Sequence, residues 1–252
     1  MPSPPVLAVL ALALASGTQA QLPTLAASDF SSGTSLDPFY ECTFRRPSYA
    51  QVVDGELETF FDEADYDGTR VDRGIEICAD IASVTRELWH GFSMRLAPDY
   101  PVNKQSIVAQ NFCLGGCSSW CATLDVVGTS LQVDHRSDCS TTGVTTETIV
   151  DEVGRGEWHD VVINARFSNS GDGHYTVWWD GDVVYDVQNV NLGFDSEWDS
   201  EGRMTTGVGF KNGQYNANTD LYDGGTRTIY FDNVSWYNVD DGQTDGYEVV
   251  AP

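Results

Sequence analysis

The stretch GHYTVWWDGDVVYDVQNV, residues 173–190, decides the fold. Aromatic and β-branched residues line both sides of Asp180-Gly181, a pair that supplies the positive φ angles of a two-residue hairpin turn. Working outward, HDVVINARF (159–167), QSIVAQNF (105–112), TSLQVDHR (129–136), MTTGVGF (204–210) and RTIYFDNVSWYNV (227–239) have the same composition. Each is bounded by Gly, Asp, Asn or Ser, as strands in tight succession are. No segment of about a dozen residues carries a helical period, and residues 83–88 are only a weak candidate. The 24 glycines fit many tight turns. The reading is all-β: a two-sheet sandwich of the β-jelly-roll or concanavalin-like type, whose outer face can hold an extended polymer.

The first twenty residues, MPSPPVLAVLALALASGTQA, carry no charge, hold an apolar run and end in small residues. That pattern predicts a secretory signal cleaved before Gln21, with residues 21–252 forming one domain and a polar tail from about residue 240. Six cysteines in an exported chain predict disulfides, with fifteen connectivities open. The spacing of CLGGCSSWC (113–121) matches no usual zinc pair. Asn233 in NVS is a glycosylation sequon. The net charge of −25, from 13 Lys and Arg against 38 Asp and Glu, argues against nucleic acid or an anionic membrane as partner. An anionic substrate would need its cations gathered at one place. The expected partner is a polysaccharide, bound by a monomer.

One stretch suggests such a place. In GVGFKNGQYNANTD (207–220), alternation puts Lys211, Gly213 and Tyr215 on one face, and Lys211 is one of only two lysines. FKNGQYN (210–216) resembles the Y-F-K-x-G-x-Y-N-Q strand of β-jelly-roll polysaccharide lyases, the alginate lyases and their relatives. LWHGFSMRLAPDYPVNKQSIVAQNF (88–112) resembles the paired strands that end in the glutamine of the heparin-lyase-like and glucuronan lyase families. EWHDVVINARFSNSGDGHYTVWWDGDVVYD (157–186) is similar to another strand pair of theirs, one shared with many concanavalin-like sandwiches. The resemblance covers roughly residues 70–237 and is nearest to the glucuronan lyases, polysaccharide lyase family 20.

The resemblance implies a secreted lyase that cleaves a polyuronate, β-1,4-glucuronan first among them, by β-elimination and with no cofactor required for chemistry. Such a reaction removes the C5 proton of a uronate and protonates the departing O4, after donors neutralise the carboxylate. Tyr215 takes the role of base and acid. Lys211 would bind substrate or lower the phenol's pKa, and Gly213 would leave room for a sugar. Gln110 matches the carboxylate-neutralising glutamine. GTRVDRGIEI (68–77) lies where these families place an R-x-E strand, with Arg70 and Asp72 or Arg73 and Glu76 as the held cation and its acid. Arg73 is assigned to catalysis, and Arg70, Lys211, Asp72 and Glu76 to substrate binding.

Three positions depart from the pattern: Phe112 where the alginate lyase relatives have His, Gly209 for the leading Tyr, and Ala217 for Gln. His90 and His135 are the candidate substitutes for the missing imidazole, with His90 assigned to catalysis, although both alternate with apolar residues. His159 and His174 belong to generic sandwich strands. The acid-rich turns DEADYDG (62–68) and DLYDGG (220–225) would suit a structural calcium ion, with ligands unknown. Two other readings stand beside the lyase. One is a jelly-roll glycoside hydrolase on neutral β-glucan, with Asp72 or Glu76 as one of its two carboxylates. The other is a carbohydrate-binding protein without chemistry.

Overall fold

The structure, a computed structural model, describes residues 24–43, 48–69, 73–80, 87–114, 119–140, 142–193, 207–216, 218–239 and 245–252. The expected signal segment, Arg70, Asp72, Cys117 and Ala217 lie outside the described residues.

Two antiparallel sheets face one another. The first runs, in spatial order, β13 (Asp182–Leu192), β12 (Ser168–Trp179), β11 (His159–Arg166), β6 (Glu87–Leu96), β15 (Thr226–Val239), β4 (Glu56–Asp62) and β3 (Tyr49–Val53), with β1 (Leu25–Ser28) also pairing with β15. The second runs β10 (Thr145–Val150), β9 (Ser130–His135), β8 (Ser119–Val127), β7 (Gln105–Cys113), β14 (Val208–Tyr215), β5 (Gly74–Ala79) and β2 (Phe39–Thr43). The order interleaves early and late strands, so β14 is inserted between β7 and β5. This crossover brings residues more than a hundred positions apart onto adjacent strands. The jelly-roll expectation holds, and Asp180 and Gly181 adopt φ angles of 52° and 87° at the hairpin turn between β12 and β13.

Alternation sends one side of each sheet inward. Leu57, Phe61, Ile75, Ile77, Phe92, Met94, Leu124, Val133, Ile163 and Phe231 are fully buried between the sheets. Two polar side chains inside bond across the gap. Gln214 on β14 donates to the carbonyl of Thr59 on β4 at 2.6 Å, and Tyr175 on β12 donates to Asn111 Oδ1 on β7 at 3.2 Å. Disulfides join Cys42 to Cys78 and Cys113 to Cys121, and Cys139 is disulfide-bonded as well. Among the described residues no helix is long and apolar enough to cross a membrane.

Two expectations need correction. Residues from 245 onward are not a loose polar tail: α1 (Gly246–Val250) packs on the outer face of the first sheet. Val250 joins Trp89, Val162 and Val239 there, and Tyr247 meets the Trp178 ring edge-on at 5.4 Å. Two indoles stacked at 5.7 Å on a sheet face, Trp89 and Trp178, expose more apolar surface than water favours, and the short helix covers it. The weak helix at 83–88 is not found where described, since Glu87 and Leu88 open β6.

The turn 219–225 is fixed by a buried ion cluster. Glu63 accepts from Lys104 at 2.9 Å, from Arg227 at 2.7 Å and from the backbone N–H of Asp223 at 2.8 Å. Lys104 also pairs with Asp223 at 2.8 Å and donates to the Leu221 carbonyl at 2.6 Å. Buried charges of mixed sign cost least when they pair with one another, as Glu63 does with Lys104 and Arg227. Four carboxylates of the acid-rich turns expected to suit calcium are engaged within the protein: Asp62 accepts from Ala64 N–H, Asp67 accepts from Thr69 N–H, and Glu63 and Asp223 take protein cations. Among the described residues no group of three or more His, Cys, Asp or Glu could hold a metal ion.

Candidate active site

The outer face of the second sheet is built from rows that cross its strands. On β14, Phe210, Asn212 and Gln214 turn inward, which leaves Gly209, Lys211, Gly213 and Tyr215 outward. Lys211 stands opposite Gln110 on β7, Gly213 opposite Glu76 on β5, and Tyr215 between Gly74 and Ile107. Glu76 in turn stands opposite Thr43 on β2. The chain thus gathers Glu76, Gln110, Lys211 and Tyr215 onto three adjacent strands.

Glu76 is the hub of this face. It is 1% exposed, and a lone carboxylate there would cost several kcal/mol. Two groups offset that cost, and a third holds one of them. The Gln110 amide donates to Oε1, Lys211 Nζ lies 3.3 Å from Oε2, and Lys211 also donates to Thr43 Oγ1 at 2.9 Å. The ammonium sits 5.0 Å from the centroid of the Phe112 ring, a cation–π contact in the place where an imidazole was the family expectation. One hydrogen of the Gln110 amide is spent on Glu76; an amide nitrogen carries two.

The phenol has a different cation beside it. Arg73 hydrogen-bonds Tyr66 and interacts electrostatically with Tyr215, Tyr66 and Tyr222. Burial pulls its guanidinium down, but these tyrosine oxygens outweigh that and hold it above its ordinary value. Its backbone is pinned as well: the Arg73 carbonyl accepts from Asn216 N–H at 2.9 Å and from Tyr222 OH at 3.4 Å. Tyr66 meets Tyr222 edge-on at 5.1 Å. The buried cluster around Glu63 holds the turn that carries Tyr222, so the arginine's surroundings rest on a rigid anchor.

Glu76, Gln110, Lys211, Arg73 and Tyr215 therefore share one surface. His90 does not. It is 0% exposed on the inner face of β6, 3.5 Å from the Phe210 ring centroid, and burial holds it well below the usual histidine range. A catalytic role for His90 is withdrawn on this geometry, because Phe210 and the sheet lie between it and the outer face. His135 likewise faces inward, 2.7 Å from Tyr185 OH. Two further readings change. Lys211 is engaged by Glu76 and Thr43, and Arg73 is the cation at the phenol. Gly213 has φ 145°, and a Cβ there would run into the Ile75 carbonyl and Glu76 Cα of β5. Its glycine serves the close approach of two strands more than the approach of a sugar.

The sequence reading missed Thr43, Tyr66 and Tyr222, since the turns holding the two tyrosines drew notice for their acids. It also missed Asp125, which lies on the outer row with Tyr215, Ile107 and Gln132. Asp125 is 2% exposed; burial and the neighbouring Asp134 push its carboxyl up to about 7, against the hydrogen bond from Gln105 at 2.9 Å. The raised value has a stability consequence. Below about pH 4 the group is protonated folded or unfolded; between there and about pH 7 only the folded chain keeps the proton, so stability falls as pH rises and is level above. Asp125→Asn removes this loss. It is expected to raise Tm by roughly 5–10 °C at pH 8, on the order of 3 kcal/mol, and to leave it unchanged at pH 4. Thermal melts at the two pH values check this; equal shifts at both would contradict it.

A family model for polysaccharide lyases matches residues 70–235. Among solved structures, the fold is similar to an endo-β-1,4-glucuronan lyase from the fungus Trichoderma reesei, with a TM-score of 0.62 at 16% identity over 92% of this chain and 99% of that one. The alginate lyase Aly36B gives 0.57 at 13% identity over 86% of this chain and 98% of that one. An alginate lyase from Pseudomonas aeruginosa gives 0.55 at 14% identity over 78% of this chain and 88% of that one. At these identities the likeness is one of fold. No curated protein matches the sequence.

Proposed function

Because the chain belongs to the polysaccharide lyase family, we propose that it is a secreted enzyme that cleaves a 1,4-linked uronate polymer, glucuronan first, by β-elimination. The observation that carries this reading is the outer face on which Glu76, Gln110 and Lys211 bond together while Tyr215 stands two residues beyond Gly213 on the same side of β14. The disulfides and the apolar leader of twenty residues support export.

A uronate carboxylate bound over Glu76 and Gly213 meets the second hydrogen of the Gln110 amide and the charge of Arg73. These donors withdraw charge as the C5 proton leaves, and their benefit grows as the enolate forms. Tyr215 takes the C5 proton. The electrons of that C–H bond become the C4–C5 double bond as the C4–O4 bond breaks, and the phenol returns its proton to O4. Arg73 is the cation that interacts electrostatically with this phenol. The Lys211–Gln110 row and the Tyr215 row are four residues apart on β14, and the Glu76 row lies midway, roughly 7 Å from each. One bound sugar can bridge that gap.

Glu76, one of the described carboxylates of this face, is committed to Gln110 and Lys211. A net charge of −25 repels a polyanion at long range, so attraction must come from this local set. The reading is tested by ultraviolet absorbance of the protein incubated with glucuronan, alginate and a neutral β-glucan. A rise on a uronate polymer is expected; release of reducing ends from the neutral glucan, with no rise on any uronate, would overturn it.

A further inference from the structure

At the far end of β14 from Tyr215 lies a cavity of about 260 Å³. Tyr40 and Leu114, 43% and 46% exposed, stand among the residues that line it; Phe112, Gly209 and the buried Trp236 line it further in, and Lys211 borders it. Two of the three positions that depart from the resembling lyase strands, Gly209 and Phe112, thus line one space. The space is open because residue 209 has no side chain: a Cβ there would come 3.2 Å from Leu114 Cδ2. The walls are apolar. Lys211 is the one cation among the lining residues, and Glu76 and Thr43 already hold it. The exposed Asp80 adds a negative charge and accepts from Tyr40 OH at 3.0 Å. Burial, then that bond, pushes the Tyr40 phenol up, so it stays a neutral hydroxyl. The indole N–H of Trp236, 3% exposed, has no partner.

A uronate would find no free cation here and a carboxylate against it. An uncharged sugar would find flat apolar rings for its C–H faces and the neutral Tyr40 hydroxyl beside them. The outer rows of β8 and β9 continue with the uncharged or acidic Thr123, Asp125, Gln132 and Asp134. We propose that the cavity beside Gly209 is a subsite for an uncharged sugar unit, and that the preferred substrate is a mixed chain in which neutral sugars accompany the cleaved uronate. This rests on the lyase reading above and narrows it.

The experiment compares glucuronan with the same polymer partly carboxyl-reduced, so that some units become glucose with every linkage kept. Per uronate, kcat/KM from ultraviolet absorbance is expected to be about tenfold higher on the reduced polymer, with glucose at a fixed distance from each new unsaturated end by mass spectrometry. Gly209→Tyr, which fills the cavity, is expected to shrink that ratio about tenfold, and Asp80→Lys to shrink it by raising the rate on the parent polymer. Equal or better cleavage of the parent, with glucose placed at random, would overturn the proposal. Tryptophan fluorescence with a neutral β-1,4-gluco-oligosaccharide separates the two readings. Binding that Gly209→Tyr abolishes, with no unsaturated product from either polymer, would keep the subsite and reject the lyase. No binding of that oligosaccharide would reject the subsite, even if elimination occurs.

Discussion

Tyr215→Phe is expected to lower kcat on the cleaved uronate polymer on the order of 10³-fold, because it removes the one oxygen assigned to carry the proton from C5 to O4. The ring remains, and so do the β14 pairings to Gly74 and Ile107, which are made by backbone. KM and the melting temperature should therefore change little. Initial rates by ultraviolet absorbance, alongside a melt of the same sample, check both halves. A variant that keeps a tenth or more of the activity would remove Tyr215 from the chemistry.

Gln110→Ala has the second largest expected effect, a fall in kcat of roughly 10²–10³-fold, since a donor to the developing enolate is lost. It also leaves the buried Glu76 carboxylate with Lys211 as its remaining side-chain donor among those described here, at a stability cost of about 1–3 kcal/mol. Gln110→Glu should be worse on both counts, because a second carboxylate would face Glu76 across the same short contact. The split between kcat and KM separates the chemical loss from a binding loss. A rise in KM alone would mean that Gln110 only holds the ground-state carboxylate.

The contrast between these residues and the rest explains what a sequence can and cannot reveal here. Strands that are buried on one face announce themselves by alternation, and Asp180-Gly181 fixes a register by turn chemistry alone. β8 did not, because Cys121 to Val126 is buried on both faces and starts beside a cysteine cluster. α1 did not, because five residues carry too short a period, and only the Trp89–Trp178 face gives Tyr247 and Val250 something to cover.

The candidate site divides in the same way. Lys211, Tyr215 and Gln110 were legible as residue types in a resembling motif. Their partners were not, since the register of β5 against β14 decides that Glu76 meets Gln110 and Lys211. Arg73 reaches Tyr215 through a turn anchored by Glu63 and Lys104, more than a hundred residues away from Tyr222 in the case of both. That anchor is tertiary, and no local pattern encodes it. His90 illustrates the reverse error: its alternation with Phe92 and Met94 pointed inward, and the inward reading is the one the fold realises.

The most direct test of the central claim is the origin of the new chain end when the protein cuts glucuronan in oxygen-labelled water. Elimination breaks the C4–O4 bond without adding water, so the products should be unsaturated, lighter by one water than a hydrolytic pair, and free of label introduced at cleavage. Label fixed in the cleaved ends, with no unsaturated product, would mean that water attacked the linkage and that the face built on Glu76, Gln110, Arg73 and Tyr215 performs hydrolysis.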